Sequence, residues 1–298
     1  MSSNTSVYEK LALPGALCFV KGHGGLDFVE VENELGRATI ALQGGHVVDY
    51  QASGKRPLLW LSKAARFAPG KSIRGGIPVC WPWFGPHPSE PNAPAHGFAR
   101  TTLWTPVETA SLPDGGTRLV LALSGSTQRV TATDDLDVRL TLEVGRDLLL
   151  ELETLNQGNE SYRLTQALHT YFLIGDVRQI QVQGFDQCAY LDKVNGGEGI
   201  QAGPITFASE VDRIYLGCPD EYSIFDPLLD RTIYISSKGS KSAVVWNPWE
   251  EKAERLGDMG ESDFLNMVCV ESTNAGDDGI ELLPGGRHCL SARYSYTA

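Results

Sequence analysis

The stretch "LDVRLTLEV" (residues 136–144) decides the fold. Leu136, Val138, Leu140, Leu142 and Val144 occupy alternate positions, with Asp137, Arg139, Thr141 and Glu143 between them. Side chains of a strand point alternately to two faces, so this is a half-buried antiparallel strand; a helix would repeat its apolar positions about every three to four residues. "GRD" (145–147) turns the chain into "LLLELETL" (148–155), and "NQGNES" (156–161) turns it again. Outward from this hairpin the same alternation recurs at "DFVEVE" (27–32), "RATIAL" (37–42), "TRLVLAL" (117–123), "RQIQVQG" (178–184), "RTIYIS" (231–236), "SAVVWN" (242–247), "NMVCVES" (266–272) and "HCLSARYSYT" (288–297). Helical pattern is confined to "LSKAARF" (61–67) and "WEEKAERLG" (249–257), each about two turns. With 32 glycines and 16 prolines separating short strands, the expected fold is all-β, a large antiparallel sandwich with a few short helices. No repeat or composition shift marks a boundary, so residues 1–298 are expected to form one domain, with 1–25 as an N-terminal extension.

Charge and composition exclude several function classes. The formal net charge is −12 with no basic run, which argues against nucleic acid and anionic membrane as partners, since both need a concentrated positive face. The apolar stretch "LALPGALCFV" (11–20) is interrupted by Pro14 and Gly15 and is not read as a leader, and no segment reaches the roughly 20 apolar residues of a membrane helix. The six cysteines (Cys18, Cys80, Cys188, Cys218, Cys269 and Cys289) are scattered, without the short spacings of zinc ribbons or redox motifs. Reduced thiols in a cytoplasmic protein are the expectation. His87 and His96 are not at metal-ligand spacing, and no cofactor or metal is expected. "GHGG" (22–25) lacks the lysine of a phosphate loop, and no serine sits in a nucleophile elbow.

The residues left to carry chemistry lie on strands and on one loop. In "LTQALHTYFL" (164–173), read as a single strand, Leu164, Leu168 and Phe172 form a core face. Thr165, Ala167, His169 and Tyr171 form the other, which places a titratable ring mid-strand. His169 is either a hydrogen-bonded core histidine or a proton donor and acceptor. In "NMVCVEST" (266–273), Met267, Cys269 and Glu271 share a face opposite Val268 and Val270; Glu271 either reaches water at the strand end or sits paired in a cavity, because an unpaired buried carboxylate is costly. Residues 76–100 are too proline-rich for a central strand, and so long a connection suits the wall of a binding site. Arg74 and Arg100 flank this loop, whose Trp81, Trp83 and Phe84 offer flat apolar surface and whose His96 precedes Arg100 by four residues. Guanidinium groups take phosphate or carboxylate in a fork geometry. Asp212 adjoins Arg213 and has the simpler reading of an ion pair, while the "WNPW" turn (246–249) serves a site or a core equally well.

Together, "RGGIPVCWPWFG" (74–85), "HGFAR" (96–100), "LHTYF" (168–172), "VDRIY" (211–215), "WNPWEEKA" (246–253) and "VCVES" (268–272) resemble, in order and spacing, the glucose-6-phosphate 1-epimerases of the aldose 1-epimerase (galactose mutarotase-like) superfamily. The resemblance runs from about residue 28 to the C-terminus. It implies a galactose mutarotase-like β-sandwich that interconverts the anomers of a hexose 6-phosphate without a cofactor; separately, a monomer is expected. It also implies roles: His169 and Glu271 as catalytic acid and base, Arg74 and Arg100 on the sugar phosphate, Asp212 on sugar hydroxyls and His96 near the ring. On that reading Glu271 is ionised and His169 holds its proton. The sequence departs from many relatives at Gly45, where alanine is common, at Tyr50, where tryptophan is common, and at Ala95, where some have glutamine. Two rival readings are a non-catalytic sugar-phosphate-binding sandwich and a glycoside hydrolase or lyase, the latter needing two carboxylates about the scissile bond.

Overall fold

The strand Leu136–Val144 pairs antiparallel with Leu148–Asn156, and their alternate leucines and valines are buried. The computed structural model describes residues 8–123 and 135–297; the first seven residues of the N-terminal extension lie outside them. Around this hairpin an eight-stranded antiparallel sheet runs in the order Gln181–Gln183, Glu221–Asp226, Arg231–Lys238, Arg287–Tyr296, Leu148–Asn156, Leu136–Val144, Thr117–Ala122, Thr105–Ser111. A second eight-stranded sheet packs on it. Its order is Glu198–Ile200, Ala189–Asp192, Val211–Leu216, Ser242–Asn247, Met267–Asn274, Gln166–Leu168, Val79–Cys80, with Tyr171–Leu173 also on Met267–Asn274. A four-stranded sheet (Leu17–Lys21, Asp27–Asn33, Gly36–Ala41, His46–Ala52) extends the layers. The "LALPGALCFV" stretch therefore ends in a strand, paired with Asp27–Asn33.

The main core lies between the large sheets, where Val138, Leu140, Leu142, Leu150 and Leu152 from one meet Leu168, Phe172, Val245, Val268 and Val270 from the other. Truncating a wholly buried leucine such as Leu140 to alanine is expected to cost about 2–5 kcal/mol. A separate cluster covers the opposite face of the second sheet, where Trp60, Tyr171, Val244, Trp246, Met267 and Cys269 pack together. The alternation read for residues 164–173 and 266–273 is thus physically two-sided, with one set of side chains in each cluster.

Two local expectations are corrected. Residues 61–67 are not helical: Leu61 bridges Gly75, and the Ser62 hydroxyl accepts from Ala64 N–H while donating to Asp263, which ends the segment as a turn. By contrast "WEEKAERLG" folds as the helix Trp249–Leu256, closed by Gly257 in the left-handed region at φ 67°. The proline-rich loop contributes only the two-residue strand Val79–Cys80, at the sheet edge where missing N–H donors cost least. Its Trp81 and Trp83 are core residues at 1% and 3% exposure, not a sugar-facing surface, and Trp81 donates to Thr154 Oγ1 at 2.9 Å. Gly45 and Tyr50 are core positions too. A Cβ on Gly45 would stand 3.0 Å from Leu140, and the Tyr50 hydroxyl donates to Gly145 O, so the departures there concern packing.

Candidate functional site

The chain from 164 to 173 is not one strand. Leu168 C=O accepts from Thr170 N–H at 3.0 Å, a three-residue turn centred on His169, and the strands Gln166–Leu168 and Tyr171–Leu173 end on either side of it. Both strands keep the same register on Met267–Asn274, with Leu168 opposite Ser272 and Tyr171 opposite Cys269. His169 therefore faces Glu271 across the gap. The turn frees the imidazole from the ladder while His169 N–H donates to Pro78 O at 3.0 Å and Tyr171 N–H to Gly76 O at 2.9 Å.

His169 Nε2 stands 3.4 Å from Glu271 Oε1, with side-chain exposures of 12% and 1%. The ring is stacked on Tyr171 (centroids 4.9 Å apart, planes within 10°) and meets Trp246 edge-on. His169 Nδ1 and Glu271 Oε2 are buried with no hydrogen-bond partner among the described residues. Neither side chain has its polar capacity used up by the protein, which is unusual for buried groups and points to a ligand site.

Burial and charge in the site act against the protonation expected from sequence. Burial, then the charges of His96, Arg74 and Arg100, push the His169 imidazole well below its ordinary value. Burial, reinforced by Asp212, raises the Glu271 carboxyl well above its own. Loss of water and the nearby cations both disfavour the imidazolium at His169, and loss of water disfavours the carboxylate at Glu271.

The remaining residues singled out from sequence converge on this pair. Arg74 Nε donates to Asp258 Oδ1 at 3.0 Å and Nη1 to the Tyr171 hydroxyl at 2.9 Å. It is carried by a backbone only glycine tolerates: a Cβ on Gly75 (φ 110°) would meet Trp60 O at 2.5 Å, and one on Gly76 (φ 63°) would meet Val47 O at 2.2 Å. Arg100 donates from Nη2 to Ala95 O at 2.7 Å. Its field and that of Arg74 reach both His96 and His169. The His96 ring lies 5.9 Å from that of His169, and burial and the two arginines depress it to about 4. His96 Nδ1 accepts Gly85 N–H at 3.3 Å, so the neutral ring carries its proton on Nε2 as a donor. Asp212 is not paired with Arg213, which turns to Asp192 at 3.6 Å; its partner is Lys252 Nζ at 3.3 Å, from the helix after the "WNPW" turn. Burial raises the Asp212 carboxyl despite that cation.

His46, Tyr171, Trp246, Lys252 and Asp258 also belong to the site; the sequence puts Tyr171 on the face of His169 and leaves the "WNPW" turn open between site and core, and it does not single out the other three. His46 is wholly enclosed, its Nε2 hydrogen-bonded to Gly75 O at 2.7 Å under the arginine-bearing turn. Trp246 and Tyr171 are indistinguishable from core aromatics by spacing. Register supplies what spacing cannot: Asp212, Trp246, Cys269 and Tyr171 are successive cross-strand partners, so they form one row across the sheet face.

The antiparallel sandwich has the galactose mutarotase-like fold, and it carries a histidine–carboxyl pair on the far face of one sheet. Residues 27–295 match the family model described as aldose 1-epimerase, and the chain belongs to that family. It is 36% identical over 272 residues to a Cenchrus ciliaris protein named "Putative glucose-6-phosphate 1-epimerase", with 86% of this chain and 81% of that one covered. A protein of the same name from Escherichia coli K12 is 34% identical over 259 residues, covering 85% and 84%. The crystal structure of a "putative mutarotase" from Salmonella typhimurium superposes with a TM-score of 0.89 at 31% identity, over 96% of this chain and 95% of that one. Among the described residues no helix is long and apolar enough to cross a membrane.

Proposed function

We propose that the protein interconverts the α and β anomers of glucose 6-phosphate, with His169 and Glu271 as the acid–base pair. The observation that carries this reading is their 3.4 Å approach, with otherwise unpartnered polar atoms, in the field of two arginines. Opening the pyranose needs the anomeric hydroxyl proton removed and the ring oxygen protonated; reclosure on the other face reverses both transfers. The pair holds one proton in all. Neutral His169 with protonated Glu271, and imidazolium with carboxylate, are the same protonation level with the proton on different atoms.

Substrate binding selects between these two forms. Arg74 and Arg100 help to keep the empty site's imidazole neutral. A phosphate dianion clamped by both guanidinium groups cancels their field at His169. The imidazolium–carboxylate form then becomes accessible: Glu271 takes the anomeric proton and His169 delivers one to the ring oxygen. His96 Nε2–H and Asp212 are in the same reading a donor and an acceptor for ring hydroxyls. The phosphate thus contributes to turnover as well as to binding, since remote binding energy prepares the reacting groups.

The relatives' names support an epimerase over a non-catalytic sugar-phosphate module, which needs arginines but no acid–base pair. For a hydrolase, the second carboxylate would be Asp212, which is committed to Lys252. The test is anomer exchange of glucose 6-phosphate by the His169→Asn variant. Turnover near that of the unaltered protein would remove His169 from the mechanism.

A further inference from the structure

The acid–base pair has a third neighbour that plays no part in the proposed reaction. Cys269, two residues before Glu271 on the same strand face, is wholly buried between its cross-strand partners Tyr171 and Trp246. Its sulfur, a His169 ring nitrogen and a Glu271 carboxylate oxygen all lie within 4.8 Å of one another. No linear spacing in the sequence announces this triad; the register creates it.

We propose that His169, Cys269 and Glu271 form a site for a thiophilic divalent cation, Zn2+ foremost, whose occupation blocks the acid–base pair. The 3.4 Å between His169 Nε2 and Glu271 Oε1 is close to the ~3.3 Å that two ligands span at a tetrahedral zinc with bonds of about 2.0–2.1 Å. Cys269 Sγ, in the same 4.8 Å group, comes to a zinc–sulfur bond near ~2.3 Å by a side-chain adjustment. Thiolate, imidazole and carboxylate suit zinc; magnesium and calcium require six or more oxygen ligands, and the triad offers one carboxylate. A second observation comes from the carboxyl itself. Glu271, at 1% exposure, keeps Oε2 buried without a hydrogen-bond partner, so the side chain has acceptor capacity that the protein leaves unused.

Three protein ligands leave the fourth position of a tetrahedral ion for water or for a substrate oxygen. Binding displaces the thiol proton and the single proton of the pair to solvent. The ion then holds Nε2 and a carboxylate oxygen, the atoms that ring opening uses. Inhibition competitive with the sugar phosphate follows, and only this consequence rests on the function proposed above.

The experiment titrates chelator-treated full-length protein with Co2+ as a spectroscopic probe, then measures Zn2+ inhibition of glucose 6-phosphate exchange. A thiolate-to-cobalt charge-transfer band in the near ultraviolet is expected, lost in Cys269→Ser. Zn2+ inhibition should weaken at least about a hundred-fold in that variant, each protein referenced to its own metal-free rate. A cobalt complex of the unaltered protein without the thiolate band, or equal Zn2+ inhibition of Cys269→Ser, overturns the site. The thiolate band in a protein without mutarotase turnover would support the metal site while removing the proposed function.

Discussion

His169 stands opposite Glu271 in a register shared by two strands to which it does not itself belong. Leu168 pairs with Ser272 on one side of the three-residue turn, and Tyr171 with Cys269 on the other, so the imidazole arrives 3.4 Å from the carboxylate. That approach, and the field around it, fix how substitution and pH should act on the protein.

Removing either member of the pair should lower kcat by about 10²–10⁴ with the fold intact. Groups that act as a unit are not additive, so His169→Asn with Glu271→Gln should lose little more than the worse single variant. Anomer-exchange rates for the three variants check this. Independent, multiplying losses would contradict a shared proton.

Glu271→Gln should also change stability with pH. A carboxyl whose folded value is raised stabilises the fold relative to an ordinary acid only while protonated. That advantage is lost as pH rises from the unfolded value near ~4.3 through the raised folded one. The glutamine variant has no such loss. Its Tm relative to the unaltered protein should therefore climb as pH rises above about 5. A Tm difference independent of pH across that range would place an ionised Glu271 in the free protein.

The rate profile should have an acid limb displaced downward by the lowered His169 and an alkaline limb displaced upward by the raised Glu271. On the acid side His169 gains a second proton for the pair only well below its ordinary ~6.5, and on the alkaline side Glu271 gives up its proton only well above ~4.3. With glucose 6-phosphate, kcat/KM should also fall as the phosphate dianion is protonated near pH ~6. Free glucose should lack that limb. An identical acid limb for both sugars would assign it to the protein.

Asp258 acts through Arg74, whose Nε it holds at 3.0 Å. Asp258→Asn should reduce kcat/KM for glucose 6-phosphate about ten-fold or more, by loosening a charge-assisted contact. Slow turnover of free glucose should change little. Adding phosphite dianion, which fills the clamp in trans, should accelerate glucose turnover in the unaltered protein and less so in the variant. Equal losses for both sugars would make Asp258 structural.

Much of this is legible in the sequence, for identifiable reasons. Period-two patterning is imposed directly by burial of one strand face, so "LDVRLTLEV" and "NMVCVEST" declare their faces correctly, down to the side of the sheet shared by Cys269 and Glu271. The helix at 249–257 has both amphipathic pattern and a terminal glycine, whereas 61–67 has pattern alone and yields to the Leu61–Gly75 bridge and the Ser62 turn. The break at His169 is invisible because a three-residue turn needs no glycine or proline. Trp81 and Trp83 look like surface-loop aromatics until the loop is seen to carry them into the core. The Asp212–Lys252 pair joins a strand to a helix 40 residues on, a distance no local pattern spans. Protonation is least legible of all, since it depends on burial that only the assembled site supplies.

The most direct measurement is anomer exchange by NMR on equilibrated glucose 6-phosphate, with free glucose in a parallel sample. Strong acceleration is expected for the phosphate and far less for glucose, with the acceleration lost in Glu271→Gln. No acceleration of either sugar by folded protein would contradict the proposed function and leave His169 and Glu271 as a buried pair without a reaction.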